Sequence, residues 1–240
     1  CYIAPELNTS YSFDATTMGN GRATTNIVPK RLAGAEAKVL WETGTIRGAI
    51  VESAELTGNG RIVFRTGMTY GNAVIGLLDS RGVCIWSWHI WSVDYEIEAT
   101  AQTYASGAVF MDRNLGALAT DCTQAAAKGL YYQWGRKDPF PAAPTLTGTT
   151  ATVGAPIYDG DDNEIKITNS SQSSTADNNL AFAIANPTVC LSNYAQFNTS
   201  RDWLQADMSN DALWGNPKGA ERNETNDFLN KGAKSFYDPC

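Results

Sequence analysis

GLYYQWGRKDPFP, residues 129 to 141, is the stretch on which the reading of this chain turns. Tyr131, Tyr132 and Trp134 cluster, a charged Arg136-Lys137-Asp138 group follows, and Pro139 and Pro141 are expected to stop regular structure. Strand alternation puts Leu130, Tyr132 and Trp134 on one face and Tyr131 and Gln133 on the other. Two apolar faces need partners on both sides. The segment therefore predicts a central strand, or a strand wedged between two modules, whose aromatics are core.

Working outward from it, residues 1 to 98 read as short strands joined by turns. Cys1-Tyr2-Ile3, Tyr11–Ala15, Ala37–Trp41, Ile50–Leu56, Arg61–Arg65 and Gly71–Leu78 are the candidates, with Gly58-Asn59-Gly60 as a hairpin turn. Asp79-Ser80-Arg81-Gly82 turns the chain into VCIWSWHIWSV, residues 83 to 93, the strongest strand signal. There Cys84, Trp86, Trp88 and Ile90 share one face, and Val83, Ile85, Ser87, His89 and Trp91 share the other. Seven strands at this spacing suggest an immunoglobulin-like β-sandwich over 1–98. The first face fills the sandwich; the second is too apolar for plain solvent and is expected to meet the next module. Past a connector at 94–106, Gly107–Met111 restarts a strand and residues 117–128 carry helical propensity. A hairpin with a strand at Ile165–Thr168, a helix at Asn178–Asn186 ended by Pro187, and a last strand from Gly232 to Cys240 complete the reading.

The bulk numbers set limits. With 240 residues there is room for one large domain or two, and 43% hydrophobic content supports a core. Charged residues are only 18%, and the net charge of −7 argues against nucleic acid or an anionic membrane as partner. No stretch has the apolar length of a transmembrane segment, and no secretory leader is visible. The first residue is Cys1, from which a processed product is expected. The five cysteines include no CxxC pair, so zinc is not expected. Cys122 and Cys190, both in polar, loop-like contexts, are the expected disulfide; Cys84 is an expected buried thiol. This usage favours an extracellular home.

Candidate chemistry is sparse. The one histidine, His89, lies mid-strand between Trp88 and Ile90, where packing with a satisfied hydrogen bond is expected rather than catalysis. Asp159, Asp161, Asp162, Asn163 and Glu164 begin like a calcium loop. Glu164 stands where an EF-hand needs glycine, so the choice is between a looser calcium site and a solvated acidic turn. Calcium is the single cofactor suggested. Trp203 and Trp214, with Asp202, Asn210, Asp211 and Asn216 nearby, form a candidate sugar platform; the alternative is that both indoles pin a loop to the core.

Taken together, Cys1-Tyr2-Ile3, the WSWHIW string at 86–91, MDRNLG at 111–116, Gly129–Pro141 and YDPC at 237–240 resemble a family of surface proteins of Bacteroides-type bacteria, tied to fimbriae as fimbrillin-like or tip-adhesin components. The second half, 107–240, is similar to the Fibrobacter succinogenes major paralogous domain, related to the C-type-lectin-like fold that the formylglycine-generating enzyme also uses. The resemblance implies a mainly β protein in which an immunoglobulin-like sandwich precedes an α+β C-type-lectin-like domain. In that family the YDPC string runs on into a Pro-Pro-Gly-Trp segment, so a module ending at Cys240 is expected to lack its last strands. Cys84, Cys122 and Cys190 fall outside the family motif, and no catalytic residue carries over. The function expected is non-enzymatic adhesion at a bacterial surface or fimbrium, with other subunits and a glycan or protein receptor as partners. The alternative is a carbohydrate-binding lectin-like module of a surface glycan system.

Overall fold

A computed structural model describes residues 1–19, 21, 27–142, 157–170, 176–191, 203–204, 210–215 and 234–239. The chain is mainly β. Its first part forms strands β1 (Tyr2–Ala4), β2 (Ser10–Asp14), β3 (Glu36–Glu42), β4 (Val51–Leu56), β5 (Arg61–Thr66), β6 (Gly71–Leu78) and β7 (Cys84–Ser92). These make two facing sheets, one ordered β1-β7-β6-β3 and the other β2-β5-β4. Alternating apolar residues explain the packing. Phe13, Ile62 and Phe64 of the small sheet meet Ile75, Leu77, Trp86, Trp88 and Ile90 of the large one in a single core. Each buried indole removes about 200 Å² from water, roughly 5 kcal/mol before ordering costs.

One register irregularity matters more than any strand boundary. Plain alternation would put Ala37, Val39 and Trp41 on one face. A β-bulge between Val39 and Trp41 breaks it. Ala37 and Val39 stay in the sandwich core, while Trp41 turns to the outer face and packs with Val74, Leu130 and Phe140. That outer face is where the rest of the chain settles.

The later elements are α1 (Ile97–Thr100), β8 (Gln102–Thr103), β9 (Val109–Phe110), β10 (Leu130–Tyr132), β11 (Pro139–Pro141), β12 (Ile157–Tyr158), β13 (Glu164–Ile165), β14 (Thr168–Ser170), α2 (Ala176–Ala185), β15 (Val189–Leu191) and α3 (Asn210–Leu213). β12 pairs with β3, Tyr158 opposite Glu42, and carries β13, so the large sheet is extended to six strands by the second half of the chain. β10 and β11 form a separate hairpin on the outer face. Among the described residues no helix is long and apolar enough to cross a membrane.

Several expectations are corrected. Pro139 and Pro141 do not stop regular structure: they lie in β11, opposite Tyr132 and Leu130, with Phe140 opposite Tyr131. An antiparallel ladder asks for a donor at alternate residues only, so a Pro-Phe-Pro edge strand is compatible with pairing. The aromatic segment is not a central strand either. Leu130 is buried, but Tyr131 and Trp134 are 52% and 56% exposed. The helix expected at 117–128 shrinks to a single 3-10 turn at Ala125–Ala127, and Ser235–Asp238 is a turn rather than a strand.

Candidate functional site

Both faces of β7 are covered, as its apolar composition requires. On the outer face, His89 Nε2 is 2.9 Å from Asn72 Oδ1, and Asn72 Nδ2 donates to Gly116 O at 2.9 Å. The Gly116 contact fixes the amide, so its oxygen faces the imidazole and Nε2–H is the donor. Burial holds the His89 pKa well below the usual histidine range. In the neutral ring Nδ1 is then an acceptor, and it has no partner among the described residues.

Two residues along, Ser87 Oγ donates to Asp138 Oδ1 at 2.6 Å, and Lys137 Nζ bonds both Ser87 Oγ and Asp138. The Lys137 ammonium also lies 4.6 Å from the Trp86 ring centre. Arg136 is buried beside them. It donates to Gln133 Oε1 at 2.8 Å and to the carbonyls of Val189 and Asn186 at 2.6 and 3.0 Å, and burial lowers its pKa. The charged triplet of the 129–141 stretch is thus an internal clasp between the hairpin, α2, β15 and β7. Ser87 and His89 share a face, yet the serine donates to Asp138 and the imidazole to Asn72. The serine–histidine bond that acyl transfer starts from is not among these contacts.

The edge of β7 is the more open feature. β6 pairs with β7 from Ser92 back to Cys84, but β1 pairs, in parallel, only with Ile90, Trp91 and Ser92. Over Cys84–His89 the second edge has no strand partner among the described residues. A cavity of about 170 Å³ runs there, lined by Trp86, Ser87, Trp88 and His89, by Cys1 and Tyr2, and across from them by Ser235, Phe236 and Asp238. Side chains of consecutive strand residues point to opposite faces, so four in succession share one cavity only along the backbone edge. With Tyr2 opposite Ile90, the cavity lies on the line of β1 extrapolated past Cys1.

The expected tryptophan platform is rearranged. Trp203 is buried and donates from Nε1 to Trp134 O at 2.7 Å, which is the loop-pinning role. Trp214 is half-buried, donates to Arg136 O at 3.3 Å, and meets Trp134 with ring centres 4.8 Å apart. The exposed partner of Trp214 is therefore Trp134, which strand periodicity had placed in the core. The Gly135 that follows it, a turn former, is the one sequence signal that pointed outward. Asp202 and Asn216 lie outside the described residues.

Asp159, Asp161, Asp162, Asn163 and Glu164 form the β12–β13 turn. Asp159 Oδ1 accepts backbone bonds from Asp161 and Asn163, both at 2.9 Å, and Asp161 pairs with Lys38. Burial pushes the Asp159 carboxyl up, but the Asn163 and Asp161 bonds outweigh it and leave the pKa lowered. Asp162 takes a left-handed φ of 67° at the turn. The Asp159 carboxylate serves the turn's own donors, and among the described residues no group of three His, Cys, Asp or Glu is placed to hold a metal ion.

The disulfide expected between Cys122 and Cys190 is not formed. Cys122 is an exposed free thiol in an open groove with Met111 and Asn114, whereas Cys190 is a half-buried free thiol in β15 packed near Trp41 and Val74. Cys84 is a buried thiol, its pKa pushed up to about 11 by burial. Comparisons of the chain with protein-family models, with curated proteins and with solved structures return no match.

Proposed function

We propose that this chain is a non-enzymatic, extracellular surface or fimbrial subunit that mediates adhesion, built as an immunoglobulin-like sandwich over 1–98 followed by a C-type-lectin-like segment over 107–240. The observation that carries the reading is the partly paired edge of β7. A strand whose ladder is three residues long on one side and fully made on the other offers main-chain donors and acceptors to an extended segment of another subunit. A small cavity of about 170 Å³ adjoins that edge, with Trp86, Trp88 and His89 among the residues that line it. The resemblance of the 1–3, 86–91, 111–116 and 129–141 strings to fimbrial surface proteins supports the same reading.

β1 is the short strand that such an exchange would displace. Deleting Cys1–Ala4 frees the edge of Ile90–Ser92 as well, so the truncated chain should melt lower and associate with itself in a concentration-dependent manner. Melting by circular dichroism and mass by light scattering read both effects. A truncated chain that stays monomeric with unaltered melting would contradict the proposal.

A further inference from the structure

We infer that Trp134, standing on Trp214, is the stacking platform of a glycan-binding site that takes a neutral pyranose. The inference supplies a ligand for the adhesive reading above and rests on it for its biological setting, but it uses none of the β7-edge residues. Of the seven tryptophans, five are buried and Trp214 is half-buried, while Trp134 is 56% exposed. An exposed indole in a chain that buries most of its others calls for a reason, and its mounting gives one.

Arg136 N donates to Gln133 O at 2.8 Å, which closes a β-turn with Trp134 and Gly135 at its centre, and Gly135 has φ 85°. Glycine at that position with a positive φ is what a type II turn requires. The turn's carbonyls are tied down on both sides of Gly135. Trp203 Nε1 donates to Trp134 O at 2.7 Å, and Trp214 Nε1 to Arg136 O at 3.3 Å. The Trp134 ring then rests on Trp214 at 4.8 Å and a 52° tilt. Backbone and ring are ordered before any ligand arrives, so little ordering cost remains for binding.

The chemistry that suits such a surface is specific. An indole face carries negative π density, which attracts the polarised C–H groups on the apolar face of a sugar ring while the hydroxyls stay hydrated at its rim. The half-buried Trp214 beneath Trp134 is the second ring of the platform. The neighbouring guanidinium of Arg136 is buried and bonded to carbonyls, and the net charge is −7, so sialylated or sulfated sugars are disfavoured.

The test is titration of the full chain with neutral cello-, xylo- and galacto-oligosaccharides up to about 10 mM, enough to fill a millimolar site, read by indole NMR shifts and by saturation transfer to the sugar. One of the series should move the Trp134 indole resonance. Trp134→Ala should abolish binding, and Trp134→Tyr should retain part of it, with melting changed little in either variant. A folded protein whose Trp134 resonance is unmoved by every sugar overturns the inference. So does sugar binding that survives Trp134→Ala. Self-association of the chain lacking Cys1–Ala4 is read separately, so failure of the platform and failure of the edge are distinguishable.

Discussion

At the scale of single residues, His89 shows how one group can be both structural and titratable. Because it is the chain's single histidine, its proton linkage can be isolated. In the unfolded chain the imidazole takes a proton near pH 6.5, but in the folded chain only well below that, because burial penalises the charged ring. Between those values the unfolded state binds the extra proton. Stability is therefore full above about pH 6.5 and falls with decreasing pH, by about 1.4 kcal/mol per unit. Urea unfolding between about pH 7 and 5, above the range where ordinary carboxylates titrate, should show that slope, and His89→Asn should flatten it. The burial of His89 was legible from its place among tryptophans on a strand. Its bond to Asn72 crosses the β6–β7 hairpin diagonally, and that residue's anchoring at Gly116, 44 positions on, was not legible because it joins separate segments. Arg136 was less legible still. Nothing in RKDP distinguishes a solvated cation from one that bonds the carbonyls of Val189 and Asn186, fifty or more positions away.

At the scale of elements, alternation carries the reading well for β7 and fails where the backbone departs from the plain strand. The bulge in β3 has no residue signature in AKVLW, yet it decides which side of the sheet Trp41 serves. The hairpin of β10 and β11 escapes a reading in which proline ends regular structure, because an edge strand tolerates proline at alternate positions. A further element-level device is Glu42, at the end of β3. Its buried carboxylate accepts the backbone N–H groups of Gly48, Ile50 and Val51, at 3.0 and 2.9 Å for the last two, and so docks the 43–50 loop and the start of β4. Glu42→Ala would leave those donors unmet and should cost about 3 kcal/mol, lowering the melting temperature by roughly 10 °C. Glu42→Gln, which keeps an acceptor, should lose less. Equal melting of wild type and Glu42→Ala would mean that the loop is held by its apolar contacts alone.

At the scale of the whole molecule, the β1-β7-β6-β3 sheet is covered on both sides. The second half lays Leu130, Phe140 and Ile157 on the outer side of the sheet whose inner side fills the sandwich, and it lends β12 and β13 to that sheet's rim. Over Cys84–His89 the edge of β7 has no strand partner among the described residues, and the account of function rests on that edge accepting an extended segment. An engineered extension of alternating valine and threonine placed ahead of Cys1 would continue β1 in register along β7, past Trp88 and Trp86. The account predicts that hydrogen exchange slows at amides within Cys84–His89, and that the melting temperature rises by a few degrees, as about 1 kcal/mol of added pairing would produce. Unchanged exchange across Cys84–His89, in a protein that folds with the extension in place, would contradict it.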